Sequence, residues 1–388
     1  MSALRDRTAI AGIGATEFSK NSGRTEMTLA AQAVMAALHD AGLTPADVDG
    51  MVTLDIDNNS VGELQRAIGG EALSWFCNIP GGGGGGAGAV ALAMQAVATG
   101  VAKVVVCYRA MNERSEYRYG QPMSMTVPTA QNAVFAYQAI HGMQTAAAMM
   151  AMCMRRYMHE TGASPEDFGT VTVMQRGYAA TNPAAFFYGK PITMDDYLSA
   201  RMIAEPLRLL DCCQESDGAV ALVVTAADHA RSLRQPPVLI RGAAQALPNL
   251  TMYLNNFYRD DIVPWQETAM VARQLYAMSD LSPDDIDAAI IYDHFIPSVL
   301  PSLEAFGFCE RGEAKDFIKG GTLALDGRLP LNMNGGQIGE AYIHGFNGIA
   351  EAVRQVRGTA VNQVAKVENI IATSGSGVPT SGLILGRA

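Results

Sequence analysis

Four glycine-marked segments carry the residue types with chemical potential. Tyr292, Asp293, His294 and Phe295 follow directly on the apolar run 288–291. Side chains just past the carboxyl end of a buried strand line the crevice of open α/β sheets. A second segment, 334–348, presents Tyr342 and His344 between glycines, ahead of a helical pattern at 349–356. A third, 373–377, reads Thr-Ser-Gly-Ser-Gly and forms a tight turn around Gly375. The fourth is six consecutive glycines, 81–86, directly before an Ala-rich helical stretch. Glycine tolerates either sign of φ and has no Cβ, so the backbone can approach a bulky group closely. At a helix start, such backbone aims N–H groups at a partly negative ligand atom. A nucleotide-phosphate loop is excluded, because no Gly-Lys-Ser/Thr follows. A flexible linker fits poorly between Trp75-Phe76-Cys77 and an apolar helix. Phenol and imidazole groups are proton-transfer groups. Singly, a tyrosine is a packing residue and a histidine a hydrogen-bonded structural one. Their shared setting on glycine turns points to a site.

The elements that must position these residues alternate between strand and helix. Apolar runs at 9–13, 51–54, 103–107, 219–224, 238–240, 288–292, 369–372 and 383–385 read as strands. Periodic stretches at 29–41, 87–99, 144–159, 165–180, 267–278 and 297–305 read as helices. This alternation predicts mostly parallel sheet covered by helices. An internal repeat strengthens the reading. Residues 28–52 and 266–290 align without a gap, with Pro45, Asp47, Val48 and Asp49 matching Pro283, Asp285, Ile286 and Asp287. Each copy is an amphipathic helix, a Thr/Ser-Pro-x-Asp turn and an apolar strand. The chain therefore divides into a duplicated α/β unit, 1–235 and 236–388. Residues 111–182 have no counterpart in the second half and read as an inserted loop domain. Its methionines, among them Met149, Met150 and Met154, suit core packing, with an adaptable ligand surface as the alternative. The polar run 112–119 reads as a binding loop or a solvated one.

Composition bounds the function. The chain has 388 residues, 49% hydrophobic and 17% charged, as expected of a globular enzyme. A net charge of −10 argues against a nucleic-acid surface. The long apolar stretch 87–107 is broken by Gln95, Gly100 and Lys103, so it reads as helix, turn and strand rather than a membrane span. No basic and apolar leader pattern opens the sequence. Six cysteines without metal-ligand spacing suit buried thiols in a reducing cytoplasm, and no metal site is expected.

On these residues the chain resembles the thiolase superfamily, nearest its sterol-carrier-protein-type, thiolase-like branch. The resemblance spans nearly the whole chain. The thiolase pattern Gly-Gly-x-Ile-x-x-Gly-His-Pro-x-Gly-x-x-Gly matches here at Gly335, Gly336, Ile338, Gly345 and Gly348. It implies an α/β, duplicated thiolase fold in five layers, αβαβα. The departures are chemical. Where thiolases carry the acyl-accepting cysteine, this chain has Gly83 or Gly84. The Gly-His-Pro histidine is replaced by Tyr342, and the Asn or His heading another thiolase motif by Tyr292. The second cysteine becomes Thr373 or Ser374. Without a thiolate in place, acyl-enzyme chemistry fails.

Lost cysteines with two site tyrosines resemble the steroid side-chain aldolases. That resemblance implies retro-aldol cleavage of a β-hydroxy acyl-CoA to a 17-keto steroid and propionyl-CoA. Coenzyme A then enters only as part of the substrate, with no separate cofactor. Tyr292 and Tyr342 would be the acid and base, in either order, supported by His294 and His344. Backbone N–H groups of Gly83, Gly84 and Gly375 would bind the thioester oxygen, and the missing side chain would leave room for the substrate carbinol. The resemblance also implies a homodimer and a partner, the OB-fold domain of an enoyl-CoA hydratase, in a heterotetramer. Two rivals remain at this level: a non-catalytic acyl-CoA-binding scaffold, and a residual acyltransferase using a distant thiol such as Cys77.

Overall fold

The computed structural model describes residues 3–116, 118, 136–249, 254, 257–263, 265–375 and 380–388. Eleven strands are present among them: β1 (Thr8–Ala15), β2 (Gly50–Leu54), β3 (Trp75–Ile79), β4 (Val104–Asn112), β5 (Met202–Ala204), β6 (Leu207–Arg208), β7 (Asp217–Ala226), β8 (Val238–Ala246), β9 (Ala288–Ile290), β10 (Asn369–Ser374) and β11 (Thr380–Arg387). Nine of them form one sheet in the order β3-β2-β4-β7-β1-β8-β11-β10-β9. In it β2 with β3, β2 with β4 and β9 with β10 are parallel and the other five pairings antiparallel, which corrects the expectation of mostly parallel sheet. The helices that matter for the site are α1 (Glu26–Ala41), α2 (Val61–Ala67), α3 (Gly86–Ala98), α4 (Ala146–Thr161), α5 (Pro165–Thr181), α6 (Trp265–Ser279), α7 (Val299–Ala305), α8 (Gly336–Gly339) and α9 (Phe346–Arg357).

Side-chain alternation along the strands generates the layers. On β4, Val105 and Cys107 face α3 and α9, while Val104, Val106 and Tyr108 face α1. On β10 and β11, Ile370, Ala372, Leu383 and Leu385 face α3 and α9, while Ile371 and Ile384 pack on the side of α6 and α7. Successive residues of a strand point to opposite faces, so each half of the sheet separates two apolar layers. The result is the expected αβαβα stack, with α3 and α9 in the middle. Its two sheet layers are hydrogen-bonded to each other where β1 pairs with β8, through Ala9 with Leu239 and Ile10 with Val238.

The repeat seen in the sequence is repeated in the hydrogen bonds. Thr44 N donates to Asp47 Oδ2 at 2.8 Å, and Ser282 N donates to Asp285 Oδ2 at 2.8 Å. Asp49 accepts from the backbone N–H groups of Lys103 and Val104 at the start of β4. Asp287 accepts from those of Glu368 and Asn369 at the start of β10. The same aspartate thus fixes the register of a neighbouring strand in each half. The methionines Met149, Met150 and Met154 of α4 are fully buried with Phe168 and Tyr197, so core packing is what they do. No helix among the described residues is long and apolar enough to cross a membrane.

Helix α1 lies unusually close to β1. A Cβ at Gly14 would stand 2.3 Å from Ala33 O and 2.3 Å from Ala37 N, both rigid backbone atoms. Overpacking of this kind costs about 1–3 kcal/mol. Gly14→Ala should lower stability by that amount in urea unfolding; an unchanged midpoint would show that α1 can move away freely.

Candidate active site

The glycine run ends β3's crossover and starts the central helix α3. Its N-terminus has no capping side chain of its own, because Gly85 occupies the N-cap. The exposed donors are capped from the other half of the molecule instead. Ala87 N donates to Ser374 Oγ at 3.0 Å, and Gly88 N donates to Ser381 Oγ at 2.9 Å. Ser381 Oγ in turn donates to Gly84 O at 2.5 Å. Hydroxyls on β10 and β11 therefore satisfy the first turn of α3 in trans. A Cβ at Gly86 would meet His344 O at 2.7 Å and Ser374 Oγ at 2.9 Å, so this glycine is needed for the approach. Gly375 closes β10 with φ +76°, beside the same hydroxyls.

Tyr292 comes into the site from the end of β9. Asn332 extends that strand by side-chain mimicry: its Oδ1 accepts from Ile291 N and its Nδ2 donates to Ile291 O, both at 2.9 Å. Tyr292 N then donates to Thr373 Oγ1 at 2.9 Å, and Tyr292 O accepts from Ser298 Oγ at 3.0 Å. Asp293 ties this segment to the second motif by accepting from Gln337 N at 2.8 Å. So anchored, the Tyr292 ring reaches the oligoglycine segment. A Cβ built on Gly83 would lie 1.6 Å from the Tyr292 hydroxyl oxygen. The phenol of Tyr292 thus abuts Gly83, one of the two positions, Gly83 or Gly84, read from the sequence as lacking the side chain. This corrects the expectation that the missing side chain leaves room: the phenol of Tyr292 fills that space.

Tyr342 meets Tyr292 there. The Tyr292 hydroxyl donates to the Tyr342 hydroxyl at 3.1 Å, and both residues are buried. The two phenols lie within a row of four rings. His294 is 4.9 Å from Tyr292, Tyr292 is 6.4 Å from Tyr342, and Tyr342 is 5.0 Å from His344, between ring centroids. Burial, then the neighbouring Tyr292, Cys213 and Glu113, push the Tyr342 phenol well above its usual pKa of 10. It is held as a protonated donor.

Neither of the two histidines named as supporting groups is held as a cation. Burial pulls His294 down to about 3. Burial, Arg109 and His294 hold His344 well below 6.5. Both are neutral imidazoles at neutral pH. His344 is fixed further by Arg109 on β4, whose Nε–H donates to His344 Nδ1 at 3.0 Å. Arg109 is paired with Asp57 at 2.8 Å, and the two side chains are 1% and 0% exposed. Asp293, buried but bonded to backbone N–H groups, rises to about 7.

Arg109, Asp57, Glu113 and Cys213 were not singled out by the sequence reading. An arginine within the apolar run 104–111 was the available signal for Arg109, since a charge on a buried strand needs a partner. The run 112–119 reads as a binding or solvated loop, yet Asn112 and Glu113 are buried; residues 117 and 119 lie outside the described residues. Cys213 N donates to His294 O at 2.9 Å, and burial with Glu113 and Cys212 pushes its thiol well above 9. Cys77 sits half-buried on β3 with its thiol also raised by burial. No thiol near the glycine run is thus prepared as a thiolate.

A double-mutant cycle tests the pairing of glycine and phenol. Gly83→Ala should destabilise the protein by about 1–3 kcal/mol when Tyr292 is present. In a Tyr292→Ala background the same change should cost almost nothing. Equal costs in both backgrounds, read by urea unfolding, would show that Tyr292 does not occupy the space at Gly83.

Comparison with known proteins agrees with this geometry. Residues 252–386 match the thiolase C-terminal domain-like family. The chain is 56% identical over 388 residues to a steroid side-chain-cleaving aldolase of Thermomonospora curvata, covering 100% of this chain and 99% of that relative. It is 54% identical over 387 residues to the 17-hydroxy-3-oxo-4-pregnene-20-carboxyl-CoA lyase of Mycobacterium tuberculosis, covering 99% of this chain and 100% of the relative. Among solved structures, an Ltp2–ChsH2(DUF35) aldolase superposes with a TM-score of 0.95 at 56% identity, over 100% of this chain and 99% of that one. Full-length identity at this level, with the thiolase fold and a site stripped of its thiol, places the protein: the chain belongs to the family of thiolase-like steroid side-chain-cleaving aldolases.

Proposed function

We propose that this chain cleaves the side chain of a 17-hydroxy steroid CoA thioester by a retro-aldol reaction, releasing a 17-keto steroid and propionyl-CoA. The observation that carries this reading is the hydrogen-bonded phenol pair, with the Tyr292 hydroxyl set directly against Gly83. A retro-aldol forms no covalent intermediate. The β-hydroxyl loses its proton, the Cα–Cβ bond breaks, its electron pair passes into the thioester as an enolate, and the enolate carbon is then protonated. Two proton-transfer groups and an oxyanion donor suffice.

The direction of the phenol pair suggests how the proton travels. Tyr292 accepts the carbinol proton as its own passes to Tyr342, and Tyr342 gives its proton to the enolate carbon. No phenolate accumulates, which suits a buried Tyr342 whose ionisation is strongly disfavoured. Backbone N–H groups of Gly83, Gly84 and Gly375 remain candidates for binding the thioester oxygen. The substrate brings its own coenzyme A, and no separate cofactor is invoked. Among the described residues no cluster of three or more histidine, cysteine, aspartate or glutamate side chains is arranged to hold a metal ion.

Tyr292→Phe and Tyr342→Phe should each lower kcat for release of propionyl-CoA by about 10²–10⁴-fold, with the fold intact by circular dichroism. If the phenols act as one relay, the double variant should be no worse than the poorer single variant. Full cleavage by either variant would overturn the assignment.

The edge strand β3 suits assembly. Among the described strands it pairs only with β2, and Phe76, its second residue, is 70% exposed. A groove of about 730 Å³ beside it is lined by Val61, Leu73, Phe76 and Cys77. Exposed apolar strand edges are normally covered. We assign this edge to a homodimer and propose that the OB-fold domain of a hydratase subunit completes a heterotetramer; the name of the Ltp2–ChsH2(DUF35) aldolase pairs two components in that protein. Six free cysteines suit a cytoplasmic location. Light scattering should give a dimer for the isolated chain and a monomer for Phe76→Asp; a dimer that survives this change would place the interface elsewhere.

A further inference from the structure

The Asp57–Arg109–His344 chain is a buried charged group at the site that the phenol relay does not use. Its parts come from three separate places: the loop after β2, the middle of β4 and the turn before α9. A buried arginine–carboxylate pair contributes little net stability compared with an apolar replacement. Here it is aimed at an imidazole. The Nε–H of Arg109 reaches His344 Nδ1, while its Nη1 group holds Asp57.

The consequence is a fixed tautomer. A guanidinium has only donors, so the nitrogen facing Arg109 must accept. A neutral imidazole has one accepting and one donating nitrogen. His344 Nδ1 therefore accepts, and Nε2 carries the proton. The opposite side of the ring faces the glycine run: Nε2 lies 3.6 Å from a Cβ built on Gly82, next to the position that meets Tyr292. The backbone is held unusually to achieve this. His344 has φ +50° and is followed by Gly345 at φ +84°. A left-handed non-glycine residue costs on the order of 1 kcal/mol and persists where surrounding contacts enforce it.

We propose that His344 donates its Nε2–H to the thioester oxygen as the enolate forms, and that Arg109, held by Asp57, is the positioning residue that fixes this tautomer. The proposal rests on the retro-aldol reading for its reaction step, while the donor itself can be observed without turnover. A neutral imidazole suits such a role, because it donates a hydrogen bond without bringing a proton acidic enough to be lost to the substrate. It excludes His344 as the base, since one nitrogen is occupied by a donor and the other already holds the proton. Among the groups facing the ring are Arg109, His294 and Tyr342, and the first two disfavour its protonation further.

Nitrogen-15 NMR of the full-length chain with labelled histidine reads the tautomer directly. His344 should show a protonated Nε2, an unprotonated Nδ1 and no titration between pH 5.5 and 8. Infrared spectra of bound propionyl-CoA, carbon-13 labelled at the carbonyl, read the contact. The carbonyl stretch should be lower than in solution for the native chain, return towards the solution value in His344→Ala, and stay partly lowered in His344→Gln, which keeps an N–H donor. In turnover, His344→Ala should lose about 10²–10³-fold in kcat with much less change in KM. A protonated Nδ1, a titrating His344, or a carbonyl stretch identical in the native chain and both variants would overturn the proposal. If the stretch depends on His344 but no steroid thioester is cleaved, the donor stands and the lyase reading falls.

Discussion

One steric fact organises the site: the hydroxyl of Tyr292 and a side chain at residue 83 cannot exist together. The glycine is therefore part of the phenol's binding pocket. Its absence of a Cβ lets the ring enter from β9, cross the start of α3 and reach Tyr342. Any side chain placed at residue 83 would have to displace that phenol, so the glycine and the position of Tyr292 depend on each other.

Burial then decides how the polar groups behave. In a water-poor site the neutral forms win unless a charge is paired. His294 and His344 are imidazoles, Tyr342 is a phenol and Cys213 is a thiol, all by desolvation first. The lone full charges nearby, on Arg109 and Asp57, cancel each other. Such a site is poor at stabilising a free phenolate or a cationic base. It is well suited to moving a proton between neutral donors while a developing enolate oxygen takes hydrogen bonds. The chemistry of a retro-aldol, in which the proton removed from one atom of the substrate is returned to another, matches that environment better than one requiring a lasting ion.

Much of this was legible in the sequence because it is local or repeated. The gap-free match of 28–52 with 266–290 reflects identical turns, down to the Asp47 and Asp285 hydrogen bonds. Both tyrosines stood out because they follow an apolar strand and a glycine turn. The register within the glycine run did not, since six identical residues carry no register; the structure adds that the Tyr292 hydroxyl abuts Gly83. Arg109 and Asp57 were missed for a related reason. Their partner His344 lies 235 positions from Arg109, and nothing in local spacing links a strand arginine to a distant turn. Glu113 read as part of a binding or solvated loop, and it is buried with Glu215, Ser216, Arg109 and Lys20 around it.

The same long-range character explains why the site needs both halves of the duplication. The start of α3 has no side chain of its own with which to cap its N–H groups, so Ser374 and Ser381 supply hydroxyls from β10 and β11. Tyr292, Tyr342 and His344 also come from the second half, whereas Gly83, Arg109 and Asp57 come from the first. A glycine-only helix start is a weak structure in isolation, since glycine loses the most backbone entropy on ordering. The hydroxyls of Ser374 and Ser381 offset that weakness, so the same second half that brings the phenols also holds the glycine turn they meet.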